Sequence, residues 1–398
     1  MKAGWTYKNL ADLCTFFGDG DWIESKDQSS NGIRLIQTGN VGEGVFKDRG
    51  DKARYINEET FDRLRCTEIF EGDCLISRLP DPVGRSAILP DTGERMITAV
   101  DCTIVRFNHQ LCLPEFFNYY SQSIEYINNI SERCTGTTRN RISRSQLGNT
   151  PIPTPDVGEQ RRIVTLLDEA FADIATAKAN AEKNLQNARE LFDNTLQSLV
   201  DCTSSGRTKH SMADVCDITS KLVDPRENQY LDLPHVGAGN IETKTSALVD
   251  VKTAREENLI SGKFLFDESI VLYSKIRPYL MKVVRPDFNG LCSADIYPLA
   301  PKPGVITRDY LYYLLLAPAF TEYAIKGSAR AGMPKVNREH LFAYQTALPQ
   351  VQEQTRISEN LDEIANETTR LESIYRQKLT ALDDLKKSLL HQAFSGQI

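Results

Sequence analysis

An internal repeat constrains the fold of this chain more than any other feature of its sequence. Residues 155–163 read PDVGEQRRI, and residues 349–357, which lie 194 positions later, read PQVQEQTRI. The same offset pairs Leu167 with Leu361 and continues through the leucines that follow them. Self-similarity over such a period indicates a tandem duplication, in which each copy is a domain of about 150 residues followed by a helix of about 45.

Each copy ends in a segment that we expect to form one long helix. Residues 353–394 contain no Gly or Pro, and their apolar residues recur in steps of three, four and seven. That spacing is typical of a coiled-coil seam. Pro155 and Pro349 stand just before the two segments, where proline is tolerated. The sequence therefore predicts two long helices, one at the end of each copy.

The two predicted helices are expected to pack against each other. A helix of about 45 residues is about 65 Å long, which exceeds the width of about 30 Å expected for a domain of this size. A coiled-coil pair would bury both seams, although packing of each seam on its own domain remains an alternative. The expected seam residues are Ile163, Leu167, Ile174 and Leu191 in the first helix and Ile357, Leu361, Ile364, Leu371, Leu382 and Leu389 in the second.

The segments before the helices are expected to mix strands and helices, which gives an α+β fold class. Short apolar runs with strand-like composition alternate with turn signals, and a helical stretch rich in Phe and Tyr follows in each copy. The apolar runs are 33–36, 74–76 and 270–273, and the helical stretches are 114–130 and 308–326. The expected boundaries are 1–153 and 204–347 for the two domains, and 154–203 and 348–398 for the two helices.

The net charge of −7 argues at first against DNA as a partner, because phosphate contacts need Lys and Arg. Most of the acidity, however, lies in the helical segments. Residues 156–201 hold nine acidic and five basic residues, a net of −4, and residues 350–398 hold eight and six, a net of −2. The rest of the chain is near neutral, so charge leaves open both a DNA-binding protein and a weakly acidic protein without a nucleic-acid partner.

The nine cysteines occur singly, without a Cys-x-x-Cys pair. An odd number of scattered cysteines predicts reduced thiols, with neither a disulfide framework nor a structural zinc site. No apolar run approaches the length of about 20 residues that a membrane-spanning helix needs. We therefore expect a cytoplasmic protein without a membrane partner.

Motifs that carry catalysis are not found in the sequence. A methyltransferase acting on base amines needs an Asp/Asn-Pro-Pro-aromatic segment, and none is present. The glycine clusters at 18–20, 42–44 and 237–239 lack the third glycine of a nucleotide-binding turn. The Gly-Asn pairs at 39–40 and 239–240 are expected to be tight turns, with a DNA contact as the alternative. The five histidines share no metal-ligand spacing. We expect no catalytic residue, metal or cofactor in this chain, although an enzyme with an unfamiliar site remains an alternative.

Two kinds of basic segment recur in both copies. The first follows a predicted strand, at 77–85 and 274–282, and the second is a loop, at 136–144 and 328–338, that contains Gly and Asn. Arg and Lys hold phosphates, Arg also reads guanine, and Asn reads adenine. These segments are therefore the expected DNA contacts, with solvated loops as the alternative. The expected DNA-binding residues are Arg78, Arg85, Arg139, Asn140, Arg141, Arg144, Lys275, Arg277, Tyr279, Lys282, Arg330, Lys335 and Asn337.

Three segments of the chain resemble the specificity subunit of Type I restriction–modification enzymes, and the resemblance covers essentially the whole chain. They are the two helix entries, at 151–163 and 348–357, and the closing LLHQAFSG at 389–396. The SKIRPYL segment at 274–280 is also similar to a family segment, whereas its counterpart at 77–80 departs from the family pattern.

The resemblance implies two mixed α/β target recognition domains separated by two long helices, which form an antiparallel coiled coil with pseudo-two-fold symmetry. In that family each recognition domain reads one half of a split DNA target, the helices act as a ruler, and the subunit itself is non-catalytic. The implied partners are double-stranded DNA, two modification subunits that carry S-adenosylmethionine and methylate adenine, and, in some complexes, restriction subunits. Because the two domains differ strongly in sequence, two unlike half-sites are expected. An interaction scaffold that does not read DNA remains the main alternative.

Overall fold

A computed structural model describes the chain in six stretches. They are residues 4–135, 140–200, 207–219, 222–243, 246–328 and 334–398. Contacts separate two compact units, of which the first comprises residues 1–182 and 377–398 and the second comprises residues 183–376. Each unit contains one sheet-rich domain together with a part of both long helices.

The sheet-rich domain of the first unit is built from short strands and short helices. Its strands are β1 (Thr6–Asn9), β2 (Cys14–Asp19), β3 (Ile33–Ile36), β4 (Tyr55–Ile56), β5 (Glu68–Ile69), β6 (Cys74–Ser77), β7 (Ser86–Ile88), β8 (Met96–Thr98), β9 (Cys102–Phe107) and β10 (Pro151–Thr154). Its helices are α1 (Glu58–Leu64), α2 (Pro114–Tyr120), α3 (Ile124–Arg133) and α4 (Arg144–Gly148), and the long helix α5 (Val157–Val200) follows.

The domain of the second unit contains a matching series of elements. Its strands are β11 (Thr208–Ser211), β12 (Cys216–Ile218), β13 (Leu222–Val223), β14 (Pro234–Val236), β15 (Lys252–Thr253), β16 (Lys263–Phe266), β17 (Val271–Ser274), β18 (Val283–Val284), β19 (Gly290–Cys292), β20 (Ile296–Pro301) and β21 (Gln345–Leu348). Its helices are α6 (Met212–Val215), α7 (Arg308–Leu316), α8 (Pro318–Lys326) and α9 (Arg338–Ala343), and the long helix α10 (Val351–Ser395) follows.

The two domains share one sheet topology. The antiparallel sheet β2-β9-β6-β7 of the first domain corresponds to β12-β20-β17-β18 of the second. The mixed sheet β4-β3-β8-β5 corresponds to β15-β14-β19-β16, to which β13 is added at one edge. Its single parallel pair, β3 with β8, recurs as β14 with β19. The tandem duplication predicted from the repeat is confirmed, and so is the mixed fold of each copy.

The apolar runs predicted as strands form β3, β6 and β17, which are buried along their whole length. The two predicted helical stretches differ from expectation, because each is divided into two helices. In the first stretch the break falls at 121–123, and the Ser123 hydroxyl then caps α3 by accepting the backbone N–H of Tyr126. In the second stretch Pro318 begins a new helix, since proline cannot continue the preceding one.

Aromatic residues join the long helices to the domain core in the first unit. The ring of Phe394, near the end of α10, lies 5.3 Å from Phe116 and 5.2 Å from Tyr120, measured between ring centroids. Ile163 and Leu167 of α5 belong to the same buried cluster. The start of one long helix and the end of the other are thus packed on the domain together.

The second unit repeats this arrangement with the helix ends exchanged. Leu196 and Val200, at the end of α5, share a buried cluster with Ile357 and Leu361, at the start of α10. Farther along, Arg189 pairs with Glu372 at 2.8 Å. In the first unit, Lys178 of α5 pairs with Asp383 of α10. Within both units the two long helices therefore run antiparallel.

Most of the residues predicted for the seam lie at buried or half-buried positions, and one of them is exposed. Ile163, Leu167, Ile174, Ile357 and Leu361 are buried. Four more are half-buried, namely Ile364, Leu371, Leu382 and Leu389.

Leu191 is the seam residue that was predicted wrongly, because 59% of its surface is exposed. The buried positions around it are Ala188 and Leu196, with Phe192 half-buried between them. The least exposed positions therefore follow one another in steps of four, from Ala188 to Phe192 and Leu196, and Leu191 does not lie among them. At the helix ends, seam residues belong to the buried clusters of the domains. The alternative, in which each seam packs against its own domain, therefore also applies there.

Candidate nucleic-acid interface

The two kinds of basic segment lie side by side in the first unit. The backbone N–H of Arg78, just after β6, donates to the carbonyl of Asp101, just before β9, at 2.9 Å. The carbonyl of Arg78 accepts the N–H of Ile142, in the approach to α4, at 3.3 Å. These bonds bring together side chains from three separate parts of the chain.

The second unit forms the same backbone connections. The N–H of Lys275, just after β17, donates to the carbonyl of Asp295 at 3.0 Å, and the carbonyl of Lys275 accepts the N–H of Val336 at 2.8 Å. The N–H of Arg277 also donates to the carbonyl of Pro334 at 2.9 Å. The candidate interface is therefore duplicated together with the fold.

Three arginines and two carboxylates make up what we call the first basic cluster: Arg78, Arg141, Arg144, Asp19 and Asp101. Nη2 of Arg141 lies 2.8 Å from Oδ1 of Asp101, and Nη2 of Arg78 lies 3.3 Å from Oδ2 of Asp19. Arg141 and Arg144 are about half exposed, whereas Arg78 is buried. A cleft of about 340 Å³ is lined in part by Asp19, Arg78 and Arg144. The two exposed arginines are thus available to a ligand in solution.

Arg78 sits deeper in the cluster than its neighbours. Burial lowers the pKa of its guanidinium from the ordinary value, and the negative charge of Asp19 opposes that shift. Its Nη2 also donates to the carbonyl of Val100 at 2.5 Å. Arg78 is therefore bonded mainly to protein groups. Although its side chain is buried, it lines the cleft, so its positive charge can still act on a ligand there.

The second basic cluster consists of Lys275, Lys335, Arg338 and Asp295. Nζ of Lys335 lies 3.8 Å from Oδ1 of Asp295. The Lys275 ammonium donates to the carbonyl of Ala294 and lies 5.1 Å from the centre of the Tyr297 ring. Burial, followed by the nearby charge of Lys335, lowers the pKa of Lys275. Each cluster thus brings three cations together with at least one carboxylate.

The repeat relates the clusters residue by residue. An offset of 194 relates Asp101 to Asp295, Arg141 to Lys335 and Arg144 to Arg338, and an offset of 197 relates Arg78 to Lys275. Asp19 corresponds at offset 201 to Ser220, which lies outside the described residues. Three of the first cluster's residues are arginines, whereas the second has two lysines and one arginine, so the two sites present different donors to a ligand.

Two residues predicted to bind DNA serve another purpose. Arg85 donates at 2.6–2.9 Å to the carbonyls of Thr38, Val41, Leu79 and Pro82. Lys282, its counterpart, donates to the carbonyl of Ala238 at 2.6 Å. Both therefore secure a neighbouring loop, and we correct their assignment from DNA contacts to structural residues.

The secured loops contain the Gly-Asn pairs that were predicted to be tight turns. The side-chain oxygen of Asn40 accepts the N–H of Gln37 at 3.0 Å, and that of Asn240 accepts the N–H of Gly237 at 2.9 Å. Asn40 is also buried. Both pairs therefore form turns, and their amide oxygens are used within the protein.

Asn337 has a structural role as well. Its side-chain oxygen accepts the N–H of His340 at 2.7 Å, which makes Asn337 the N-cap of α9. Ser143, at the equivalent position, caps α4 in the same way. Asn140 is exposed at the edge of the first cluster. Arg139 and Arg330 lie outside the described residues.

The turn after β17 presents two further predicted residues to solvent. Arg277 and Tyr279 are exposed, with half of the Tyr279 surface accessible. Arg277 and Met281 have φ values of 49°, in the left-handed region that L-residues rarely adopt. The turn therefore exposes Arg277 and Tyr279 beside the second cluster, while Pro278 between them is buried.

Four cluster residues were not predicted from the sequence: Arg338 and the three carboxylates. Arg338 could have been found, since the offset of 194 places it opposite Arg144. Asp101 and Asp295 could have been found in the same way, since the same offset relates them to each other. Asp19 gave no such signal, because its counterpart is Ser220 and an Asp near a turn is common.

Neither a metal site nor a membrane-spanning segment is found in the described stretches of the chain. No group of three or more His, Cys, Asp and Glu side chains there is arranged to hold a metal ion. No helix in those stretches is long and apolar enough to cross a membrane.

Two relatives are similar in sequence to this chain. The EcoDI specificity subunit of a Type I restriction enzyme from Escherichia coli is 26% identical over 305 residues, which cover 68% of each chain. The StySPI specificity subunit from Salmonella potsdam is 22% identical over 308 residues, which cover 72% of this chain and 65% of that one. The match thus spans about two thirds of the length of these relatives.

Among the solved structures that share the fold, two match this chain over nearly its whole length. One, from work on complex assembly and conformational transition of the type I R-M system, matches 99% of this chain and 98% of its own with a TM-score of 0.76 at 17% identity. The HsdS subunit from Thermoanaerobacter tengcongensis matches 100% of this chain and 98% of its own with a TM-score of 0.63 at 18% identity.

A family model accounts for both copies of the repeat. The model of the Type I restriction modification DNA specificity domain matches residues 2–185 and again residues 207–381. Together these matches contain both sheet-rich domains and most of both long helices. This chain therefore belongs to the family of Type I restriction modification DNA specificity domains.

Proposed function

We propose that this chain is the non-catalytic specificity subunit of a Type I restriction–modification complex and reads a split, asymmetric DNA target. The observation that carries the proposal is the presence of a basic cluster at the same place in both copies of a duplicated domain. Each cluster would bind one half of the target. Because the cations sit on loops held by backbone hydrogen bonds, they are positioned before DNA arrives.

The chemistry of the clusters suits recognition of a duplex. Arg141 and Arg144 present planar guanidinium groups, which can bind guanine or phosphate with two hydrogen bonds. In the second unit Lys335, Arg338 and the exposed Arg277 offer a different set of donors. Arg and Lys are not interchangeable in such contacts. The difference between the clusters supports two unlike half-sites.

The long helices are proposed to bind protein partners. Their segments carry a net charge of −4 and −2, which disfavours contact with phosphates. Exposed apolar side chains nevertheless occur on them: Leu191 on α5, and Ile374 and Leu385 on α10. Exposed apolar residues on segments of net negative charge suit contact with another protein.

The expected partners are two modification subunits, which would carry S-adenosylmethionine and methylate adenine, with restriction subunits able to join the complex. The chain itself would contribute no cofactor. The family, whose described function is DNA specificity, supports this division of labour.

The proposal is tested by base-modification sequencing of DNA from cells that express this chain together with its modification subunit. We expect methylation of a split, asymmetric motif that disappears when the chain is left out. An intact complex that methylates no new motif would favour an interaction scaffold that does not read DNA. A control strain that expresses the modification subunit alone identifies any methylation that is independent of this chain.

A further inference from the structure

A carboxylate stands at the same position in both basic clusters. Asp101 immediately precedes β9, and Asp295 immediately precedes β20. Oδ1 of Asp101 lies 2.8 Å from Arg141, and Oδ1 of Asp295 lies 3.8 Å from Lys335. Both carboxylates therefore face the cations that are proposed to meet DNA, although negative charge at such a surface weakens binding to phosphates.

The backbone hydrogen bonds around Asp101 and Asp295 do not require the two carboxyl groups. The bonds that hold the preceding loops are accepted by the backbone carbonyls of Asp101 and Asp295, from the N–H groups of Arg78 and Lys275. Any side chain would permit those bonds. The ion pairs themselves involve cations that are nearly half exposed, and exposed pairs contribute little to stability. A structural role therefore does not explain why carboxyl groups occupy these two positions.

A carboxylate beside an arginine affects the two classes of DNA contact differently. The arginine can remain paired on one side and still present other N–H groups to a base edge, which is neutral. A phosphate oxygen that approaches the same arginine is repelled by the carboxylate. Phosphate contacts dominate binding to DNA of any sequence, whereas base contacts carry specificity. The carboxylate would therefore penalise non-specific binding more than specific binding.

We propose that Asp101 and Asp295 are specificity-determining residues, each of which discourages phosphate contacts by the cations of its cluster and leaves base contacts in place. This inference rests on the proposed function, since it concerns how the two clusters discriminate among DNA sequences. Asp19 adds a second carboxylate to the first cluster. The first cluster should accordingly be the more discriminating of the two, and the second should contribute more to non-specific binding.

The test compares Asp101→Asn/Asp295→Asn with the unchanged chain, each in complex with its modification subunits. Fluorescence anisotropy measures the affinity for two duplexes, one with the methylated motif and one with that motif scrambled, at several salt concentrations. We expect the double variant to bind the scrambled duplex about five to ten times more tightly, with less than a twofold change on the motif. The logarithmic salt dependence should steepen by about 0.9 for each additional phosphate that the variant neutralises.

A matched control removes the same charge elsewhere in the domains. Glu71 and Glu268 are exposed, are related by the offset of 197, and lie at the opposite ends of β6 and β17 from the clusters. Glu71→Gln/Glu268→Gln should change binding to the scrambled duplex by less than twofold. An equal increase in both double variants would mean that net charge alone is responsible and would overturn the inference.

Two other outcomes would also overturn it. Weaker binding to the motif, with unchanged binding to the scrambled duplex, would show that the carboxylates contact bases themselves. Unchanged binding to both duplexes would show that they do not act in recognition. If Asp101→Asn lowers the melting temperature, the binding measurements on the single variant Asp295→Asn test the inference instead, because half of the Asp295 side chain is exposed. An unchanged complex that binds both duplexes equally would instead contradict the proposed function.

Discussion

Gln160 and Gln354, which occupy the same place in the two copies of the repeat, make the same three hydrogen bonds. Both side chains are fully buried near the start of a long helix. In each, the amide oxygen accepts one backbone N–H and the amide nitrogen donates to two backbone carbonyls. The partners, at 2.8–2.9 Å, are Leu113, Leu111 and Pro155 for Gln160, and Thr307, Val305 and Pro349 for Gln354. Each glutamine therefore fastens a long helix to the loop that precedes α2 or α7.

Replacement of either glutamine should destabilise its unit. Gln160→Leu keeps the volume but leaves a buried N–H and two carbonyls without their partner, which we expect to cost about 2 kcal/mol or more in the free energy of unfolding. Gln354→Leu should have the same effect. The measurement is urea-induced unfolding followed by circular dichroism. Gln186→Leu, on the exposed face of α5, serves as the control and should change stability by less than about 0.5 kcal/mol. A Gln160→Leu chain as stable as the control would contradict this role.

The repeat identifies these two glutamines in the sequence, but it does not indicate what they do. The motif around them predicts the start of each long helix, because an apolar pattern with helical spacing follows it for more than forty residues. Two of the three hydrogen-bond partners of each glutamine lie 47–49 positions upstream, and no local pattern indicates contacts over that separation.

The lack of a local sequence signal for contacts between distant residues also explains the errors at the candidate interface. Arg85 and Arg144 look alike in the sequence, each being an arginine within a basic segment. Only the fold shows that the carbonyl of Thr38 lies beside Arg85 and that Arg144 borders an open cleft. Leu191 was misassigned for a related reason, because steps of three and four residues both fit a helical seam.

Arg85 and Arg144 should accordingly respond to substitution in opposite ways. Arg85→Ala removes the donor for four backbone carbonyls, and we expect it to lower the free energy of unfolding by about 2 kcal/mol. Arg144→Ala should leave stability unchanged and weaken DNA binding by the complex. Thermal unfolding and anisotropy titrations on the same preparations separate the two effects. If Arg85→Ala proves fully stable and impaired only in DNA binding, Arg85 is a DNA contact after all.

The stability of the second unit should depend on pH through His235. The ring is buried, and its Nδ1–H donates to the Glu257 carboxylate at 2.7 Å, while Nε2 has no hydrogen-bond partner among the described residues. Burial lowers the pKa of His235 below its ordinary value of 6.5, despite the opposing effect of Glu257. Below that pH the unfolded chain binds a proton that the folded chain does not. Folding is therefore expected to lose stability as the pH falls below about 6.5, until the lower pKa of the folded state is reached.

Melting temperatures between pH 7.5 and 5.5 test this dependence, since Asp and Glu remain largely ionised in that range. His235→Asn should flatten the decline, even if it lowers stability at every pH. His210→Asn, which replaces a half-buried histidine in the same unit, is the matched comparison variant. An identical decline in the unchanged chain and the His235→Asn variant would assign the pH dependence to other groups.

The strongest consequence of two unlike clusters is that each half of the target can be altered separately. Arg141→Gln/Arg144→Gln removes the exposed cations of the first cluster, and Lys335→Gln/Arg338→Gln removes their counterparts in the second. Because base contacts act largely independently when they are well separated, each double variant should relax one half of the methylated motif and leave the other half unchanged. Base-modification sequencing reads both halves in one experiment.

The control for this experiment is a pair of lysines outside the clusters. Lys52 and Lys252 are both exposed and are related by an offset of 200. Lys52→Gln and Lys252→Gln remove a positive charge from the first and the second unit, respectively, and should leave the motif intact. If each cluster variant instead relaxed both halves together, the clusters would not be reading separate halves. Their cations would then be holding phosphates along the whole site, and base readout would belong to other residues of the two domains.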